Sequence, residues 1–404
     1  MKHAILIGDG MGDFPIESLG GKTPLERAKT VNLDRLAREG LLGRCQTVPE
    51  GMPPGSDVAI MSLMSYCAKG VLTGRGPLEA AALNVPLGEG DLAFRLNLVT
   101  LDLSNPDDPV MLNHASGDIS NKEAGELVKA LSERLPLPGN MSVRQGVSYR
   151  NILVWPGAPE GLASVPPHDW LDKSVKHILD DPAYKPLADL VRASWPVLGD
   201  HPVNLKRKVN KQPLANSIWL WGQGKTPLVP KYRERWGLTG ATVSAVDIIR
   251  GLAIVTGLKP LTVPGATGTL DTNYKGKVDA ALEALEENDL VIVHLEAPDE
   301  CSHQGDLTAK LKAIENFDEL IAGPMLEALP RFGDFRVLCA CDHYTPVSLK
   351  THVANPVPFA FYDSANPARS GAAGYGETEA EKSPVLIPDG PSLGELLFGK
   401  KPAA

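Results

Sequence analysis

The sequence predicts an α/β protein in which a sheet covered by helices on both faces is interrupted by a smaller inserted α+β domain. Three observations carry that expectation. Short apolar runs at residues 2–7, 289–295, 336–340 and 357–362 each lie beside a polar cluster, as strands do when both faces are buried and ligands gather at one sheet edge. A helix-periodic stretch follows the first run, so strand, loop and helix alternate from the start. Residues 91–185 mix strand-like and helix-like stretches differently and separate the two halves of that pattern.

The first run ends in Gly8-Asp9-Gly10-Met11-Gly12-Asp13, a buried strand delivering an acidic side chain into a glycine-rich turn. In residues 30–40, Leu33, Leu36 and Ala37 share one helical face, with Thr30 or Asn32 as N-cap and Gly40 as stop. Within the insert, 94–101 and 149–155 read as strands, 120–135 as a helix and 156–169 as a Pro/Gly-rich loop. The expected division is 1–90 with 186–404 as the metal-binding catalytic domain and 91–185 as the insert, followed by a loose tail from Lys400.

With 404 residues, 43% of them hydrophobic, the chain can bury a sizeable core in two or three packing units. Acidic residues outnumber basic ones, 49 to 40, and no Lys/Arg-rich run occurs, which argues against nucleic acid as partner. An anionic substrate then needs local positive charge from metal ions or a few arginines. No secretory leader is expected, since the apolar strand-like run begins at once without a basic segment before it, and no segment has the roughly 20 apolar residues that span a bilayer. The five cysteines form no CxxC pair. Reduced thiols and a cytoplasmic location are expected.

Asp9, Asp299, His303, Asp342, His343 and His352 lie at or near the ends of the predicted strands. Carboxylate with imidazole suits Zn²⁺, Mn²⁺ or a similar divalent ion, and six such groups are too many for one tetrahedral site but natural for two. Two ions about 4 Å apart can hold the attacking and leaving oxygens of a phosphoryl displacement. Any one of these histidines alone would read as an ordinary loop residue. In Pro53-Pro54-Gly55-Ser56-Asp57 before a helical run, Ser56 stands where an N-cap belongs. It is either a plain cap or, beside a metal that lowers its hydroxyl pKa, a nucleophile. Arg75, Arg95, Arg150, Lys275 and Lys277 lie in turn-like contexts, and Arg75 and Arg150 are the best candidates to grip an anion. Gly222-Gln223-Gly224-Lys225-Thr226 imitates the end of a phosphate-binding loop, but Trp219 stands where its first glycine belongs. His168-Asp169 is an acid–base pair or a loop contact.

Assembled, these motifs resemble the cofactor-independent phosphoglycerate mutases of the archaeal type and their bacterial relatives, in the alkaline-phosphatase superfamily. The resemblance runs through GDGMGD, GKTPLERAKTVNLDRLA, PPGSDVAIMSLM, GRGPLEA, GVSYR, PPHD, VPGATGTLDTNYKGK, HLEAPDECSHQGD and DHYTP. It implies an alkaline-phosphatase-like sheet domain with an insert that closes over the site. It also implies a phosphorylatable Ser56, one metal on Asp299, His303 and His352, and the other on Asp9, Ser56, Asp342 and His343. Arg75, Arg150 and Lys277 are the expected substrate contacts. The implied reaction interconverts 3-phosphoglycerate and 2-phosphoglycerate without 2,3-bisphosphoglycerate, with a small phosphorylated metabolite as partner and neither nucleic acid nor membrane. One segment departs from the archaeal pattern. Residues 112–120, LNHASGDIS, carry no arginine, which resembles a bacterial subgroup with a proposed homoserine kinase role. His114 is then a proton shuttle for another alcohol or a plain loop histidine, and a metal-dependent phosphatase is the third alternative.

Overall fold

The computed structural model describes residues 1–159 and 161–399, so the tail expected from Lys400 lies outside the described residues. The chain divides into two compact units, Met1–Val71 with the chain from Leu228 onward, and Leu72–Pro227. Their strands in chain order are β1 (Lys2–Gly8) and β2 (Leu41–Cys45), then β3 (Leu92–Asp102), β4 (Val110–Asn113), β5 (Ser142–Val147), β6 (Arg150–Trp155) and β7 (Ser217–Gly224). The chain then returns to the first unit with β8 (Gly240–Val243), β9 (Lys259–Leu261), β10 (Leu290–Leu295), β11 (Phe335–Ala340), β12 (Val357–Asp363) and β13 (Leu386–Ile387).

In the first unit the strands form one sheet in the order β13-β2-β12-β11-β1-β10-β8-β9. Strand β1 pairs in parallel with both β10 and β11, and β10 pairs in parallel with β8. These central strands are buried along almost their whole length, which is why their sequences read as continuous apolar runs instead of alternating ones. The run at 357–362 is a strand too, but β12 is antiparallel to β11. The connection between them therefore turns back at the same sheet edge, and residues 341–356 stay there.

The expected helix at 30–40 spans Val31–Glu39 after Thr30, whose side chain makes no capping bond. The free amides are met from a distance: Asp318 accepts from Asn32 N at 3.2 Å and Leu33 N at 2.8 Å. A capping partner 286 positions away leaves no local sequence signal.

In the second unit β3 is antiparallel to β6 and β7 along most of its length and to β4 at its end. Its two faces are covered separately. Phe94, Leu96 and Leu98 join the larger core with Leu131, Leu187 and Trp219, whereas Ala93 packs with Ile152 and Val154 against Ala80. The unit is wider than the insert expected at 91–185. The helix Gly76–Ala82 packs on β3, β6 and β7, and β7 returns after two helices to pair with β3. A long central strand needs a neighbour on each side, and β7 supplies the second. The first three residues of the stretch that imitates a phosphate-binding loop, Gly222 to Gly224, are the end of β7, and Lys225 and Thr226 follow it.

Candidate metal centre and nucleophile

Strands β10, β1 and β11 end side by side, with Ile7 level with both His294 and Ala340. The residues after each end converge as a consequence of strand pairing. Asp9 follows β1, Asp299 and His303 sit on the helix Ala297–Gln304 after β10, and Asp342 and His343 follow β11. His352 is brought back by a bridge between Tyr344 and Val353. Gly10 makes the closest approach possible: its φ is +60°, and a Cβ there would lie 2.5 Å from Asp299 Oδ1 and 2.8 Å from Asp299 Cα.

Asp299 and His303 share a helix face at a spacing of four. His303 Nε2 is 3.1 Å from Asp299 Oδ2 and 2.9 Å from His352 Nε2. His303 Nδ1 donates to the Lys350 carbonyl at 2.9 Å, so in the neutral ring Nε2 presents a bare lone pair to His352. Two imidazole nitrogens held that close need a proton or a cation between them.

Asp9, Asp342 and His343 form a second group, with ligand atoms within 4.8 Å of one another, and His343 also meets Asp299 and His352 within the same limit. Asp342 Oδ1 accepts from Gly10 N at 3.0 Å and His343 N at 2.8 Å. The remaining oxygens, Asp342 Oδ2 and Asp9 Oδ1, are buried with no hydrogen-bond donor among the described residues. They lie 3.2 and 3.5 Å from His343 Nε2. Thr345 Oγ1 donates to Asp299 Oδ1 at 2.5 Å and lies 3.1 Å from His343 Nδ1. With the Thr345 proton engaged on Asp299, its oxygen accepts from Nδ1–H, and His343 Nε2 is another bare lone pair.

Acceptors without donors are costly to bury. Burial pushes the Asp9 carboxyl well above the usual carboxylate range, and the neighbouring Asp342, Asp299 and Glu296 push it further. At Asp299 burial acts the same way but is outweighed by His303, His352 and His343, which hold its carboxyl well below that range. Divalent ions would satisfy the converging lone pairs and offset the carboxylate charge, so the residues present fit such ions.

Ser56 corrects one expectation. Gly55 is the N-cap of the helix Ser56–Leu63, and no side chain caps it. The Ser56 hydroxyl is instead 3.2 Å from His343 Nε2. Given the bare nitrogen there, it is the hydroxyl that donates.

The metalloenzyme superfamily pattern matches residues 1–382 of this chain. A probable 2,3-bisphosphoglycerate-independent phosphoglycerate mutase of Geobacter sulfurreducens is 45% identical over 99% of this chain and 100% of its own. A 2,3-bisphosphoglycerate-independent phosphoglycerate mutase of Methanothrix thermoacetophila is 47% identical over 90% of this chain and 91% of its own. The chain belongs to this mutase family. The solved cofactor-independent phosphoglycerate mutase of Thermoplasma acidophilum superposes with a TM-score of 0.63 at 25% identity, covering 99% of each chain. The α/β sheet domain expected from the sequence is thus the fold of the mutase family.

Not every residue expected in the mutase site lies at it. Lys277 is fully buried, and its ammonium donates to the His294 carbonyl at 3.1 Å. With Glu296 as its charged neighbour, the ammonium is held inside the fold and not at an exposed surface, where the sequence expected a substrate contact. Lys275 pairs with Asp279 at the surface. Arg75 and Arg150 belong to the second unit, as do His114 and His168. There an open pocket of about 400 Å³ is lined by Arg75, Ser164, His168 and Trp221 among others. Arg95 lies 3.0 Å from Glu79 and 4.1 Å from the Trp221 ring centre, so its guanidinium is occupied. Ring contacts run from Tyr149 through His114 and His168 to Trp221. Burial lowers the pKa of His168, against the pull of Asp169, and His114, Arg95 and Arg75 lower it further, the mark of a cationic neighbourhood.

His294 escaped the sequence reading because it sits inside the apolar run at 289–295. It is fully buried, with Nε2 2.8 Å from Asp9 Oδ2. A lone histidine in an otherwise apolar strand, one residue short of its end, was the available signal. Among the described residues no helix is long and apolar enough to cross a membrane, and all five cysteines are free.

Proposed function

We propose that this chain interconverts 3-phosphoglycerate and 2-phosphoglycerate through a phosphoserine at Ser56, without 2,3-bisphosphoglycerate, at a centre holding two divalent ions such as Mn²⁺ or Zn²⁺. Asp299, His303 and His352 would hold one ion, and Asp9, Asp342, His343 and Ser56 the other. The observation that carries this reading is the Ser56 hydroxyl, uncapped and 3.2 Å from His343 Nε2. Bound ions would neutralise charge on the phosphoryl oxygens and lower the pKa of that hydroxyl.

Ser56 Oγ attacks phosphorus as the bond to the substrate's C3 oxygen breaks, and that oxygen takes up a proton. The C2 hydroxyl of the glycerate then attacks the phosphoserine, gives up its proton, and restores Ser56. The N-terminus of the helix Ser56–Leu63 supplies the positive end of its dipole where the phosphoryl group is held. Arg75 and Arg150 are proposed to bind the substrate's anionic groups, a role that suits their planar, bidentate guanidinium. Water must be kept from the phosphoserine, since its hydrolysis would make the protein a phosphatase.

A transfer to homoserine or another small alcohol is the second reading. It is favoured by one feature, the absence of arginine from residues 112–120. The deciding experiment is an enolase-coupled assay of the Mn²⁺-loaded protein on 3-phosphoglycerate, with Ser56→Ala as control. Turnover that disappears in the control supports the mutase. Its absence at full metal loading, with phosphoryl transfer to homoserine, would replace it with the second reading.

A further inference from the structure

Asp9 carries two oxygens, and among the described residues only Oδ2 has a hydrogen-bond partner. Asp9 Oδ2 is 2.8 Å from His294 Nε2, and His294 Nδ1 is 3.0 Å from Ser244 Oγ. Ser244 Oγ in turn accepts from Val246 N at 3.1 Å. With Asp9 ionised the direction of this chain is fixed. A carboxylate only accepts, so Nε2 carries the ring hydrogen, and Nδ1 receives the Ser244 proton.

The arrangement is built into the sheet. Ser244 follows β8, His294 lies in β10 and Asp9 follows β1, three strands adjacent in the sheet order. Val293 is level with Val243, which puts the next residue of each strand, His294 and Ser244, side by side. Ser244 is 5% exposed and His294 0%, so neither group can exchange its partner for bulk water. Buried polar side-chain atoms are in the large majority hydrogen-bonded, and both nitrogens of this imidazole are.

We propose that Ser244 and His294 are positioning residues that occupy Asp9 Oδ2, leave Oδ1 as the only ligand atom of that carboxylate, and thereby set the ion affinity of the Asp9, Asp342 and His343 group. Among the described residues the Asp299, His303 and His352 group shares no hydrogen bond with Ser244 or His294, although the Asp299 charge is felt at both His294 and Asp9. The inference rests on the metal reading of the centre and not on the identity of the substrate. Hydrogen bonds from outside the ligand set orient the ligands and typically change metal affinity by about 10- to 100-fold when lost.

The test is calorimetric titration of Mn²⁺ into chelator-stripped full-length protein, comparing wild type with Ser244→Ala, His294→Leu and His294→Gln. His294→Leu is expected to weaken one site by about 10- to 100-fold and leave the other unchanged. His294→Gln, whose amide nitrogen reaches the Nε2 position, is expected to recover most of that loss. Ser244→Ala removes a single oxygen atom, keeps the inference testable if the leucine variant does not fold, and is expected to shift the same site in the same direction by less. Wild-type affinity at both sites in Ser244→Ala and in whichever His294 variants fold would overturn the inference, as would equal weakening of both. Wild-type protein that takes up no Mn²⁺ would overturn the metal reading and the inference with it. Protein that binds Mn²⁺ but forms no 2-phosphoglycerate would sink only the mutase reading, and the variants would still decide this one.

Discussion

The Ser56 hydroxyl lies 3.2 Å from His343 Nε2 and makes no bond to its own helix. A serine at a helix start usually spends its oxygen on a free amide. This one does not, so its removal carries no capping penalty.

Ser56→Ala is therefore expected to lower turnover of 3-phosphoglycerate by at least about 10³-fold, the scale on which loss of a nucleophile is felt. Its thermal midpoint should match that of wild type within a degree or two. Retained turnover would remove Ser56 from the reaction.

Asp342→Asn leaves the side chain's shape unchanged but not its donors. Gly10 N and His343 N both donate to Oδ1, so the amide oxygen takes that place and the NH₂ group points where Oδ2 faced His343. A donor then stands where a ligand should be. Mn²⁺ affinity of one site is expected to fall by more than about 100-fold, beyond the loss typical of an outer hydrogen bond. Unchanged metal content by elemental analysis would refute the assignment.

Lys310 is fully buried, and its ammonium donates to Asp13 Oδ2 at 2.9 Å, the Thr345 carbonyl at 2.9 Å and the Gly12 carbonyl at 3.3 Å. It ties the turn after β1 to the segment after β11. Lys310→Met strands the buried Asp13 carboxylate, a loss of about 3–5 kcal/mol when a buried pair is broken on one side. A large drop in the urea midpoint is the expected result, and a midpoint equal to wild type would show that Asp13 finds another partner.

Glu377 gives a pH dependence with a definite sign. Burial pushes its carboxyl up to about 7, against the hydrogen bonds from Thr23 and Asp13 N. The folded state then holds a proton that the unfolded state releases near pH 4.5. Stability from this group is full below pH 4.5 and is lost as pH rises to about 7, by at most about 3.5 kcal/mol at about 1.4 kcal/mol per pK unit. Glu377→Gln, which stays neutral, should gain thermal stability relative to wild type as pH rises through that window. A difference in midpoint that stays constant with pH would contradict it.

Arg75→Ala tests the second unit. Because Arg75 lies outside the unit that carries Asp9, Asp299 and Asp342, the variant should keep wild-type Mn²⁺ stoichiometry and raise KM for 3-phosphoglycerate about tenfold or more, the loss of one charge-assisted contact. Arg75→Lys should recover only part, since a point charge does not reproduce a bidentate fork. An unchanged KM in the alanine variant would remove Arg75 from substrate recognition.

Much of the centre was legible in the chain itself. Continuous apolar runs marked β1, β10, β11 and β12, and polar groups beside them marked Asp9, Asp299, His303, Asp342, His343 and His352. The second layer was not legible in the same way. Ser244 and His294 are fifty positions apart and become neighbours only because β8 pairs with β10. The extent of the second unit was hidden too, since nothing local to β7 says that its partner is β3.

The sequence by itself determined which residue types stand at the strand ends, because burial on both faces forces an apolar pattern whose interruptions are chemical groups. Tertiary structure alone decided which oxygen of Asp9 and Asp342 has no hydrogen-bond partner among the described residues, that Ser56 turns toward His343, and that the buried Lys277 ammonium donates to the His294 carbonyl. Those outcomes depend on hydrogen-bond partners supplied across the sheet from distant positions, and a linear pattern carries no record of that geometry.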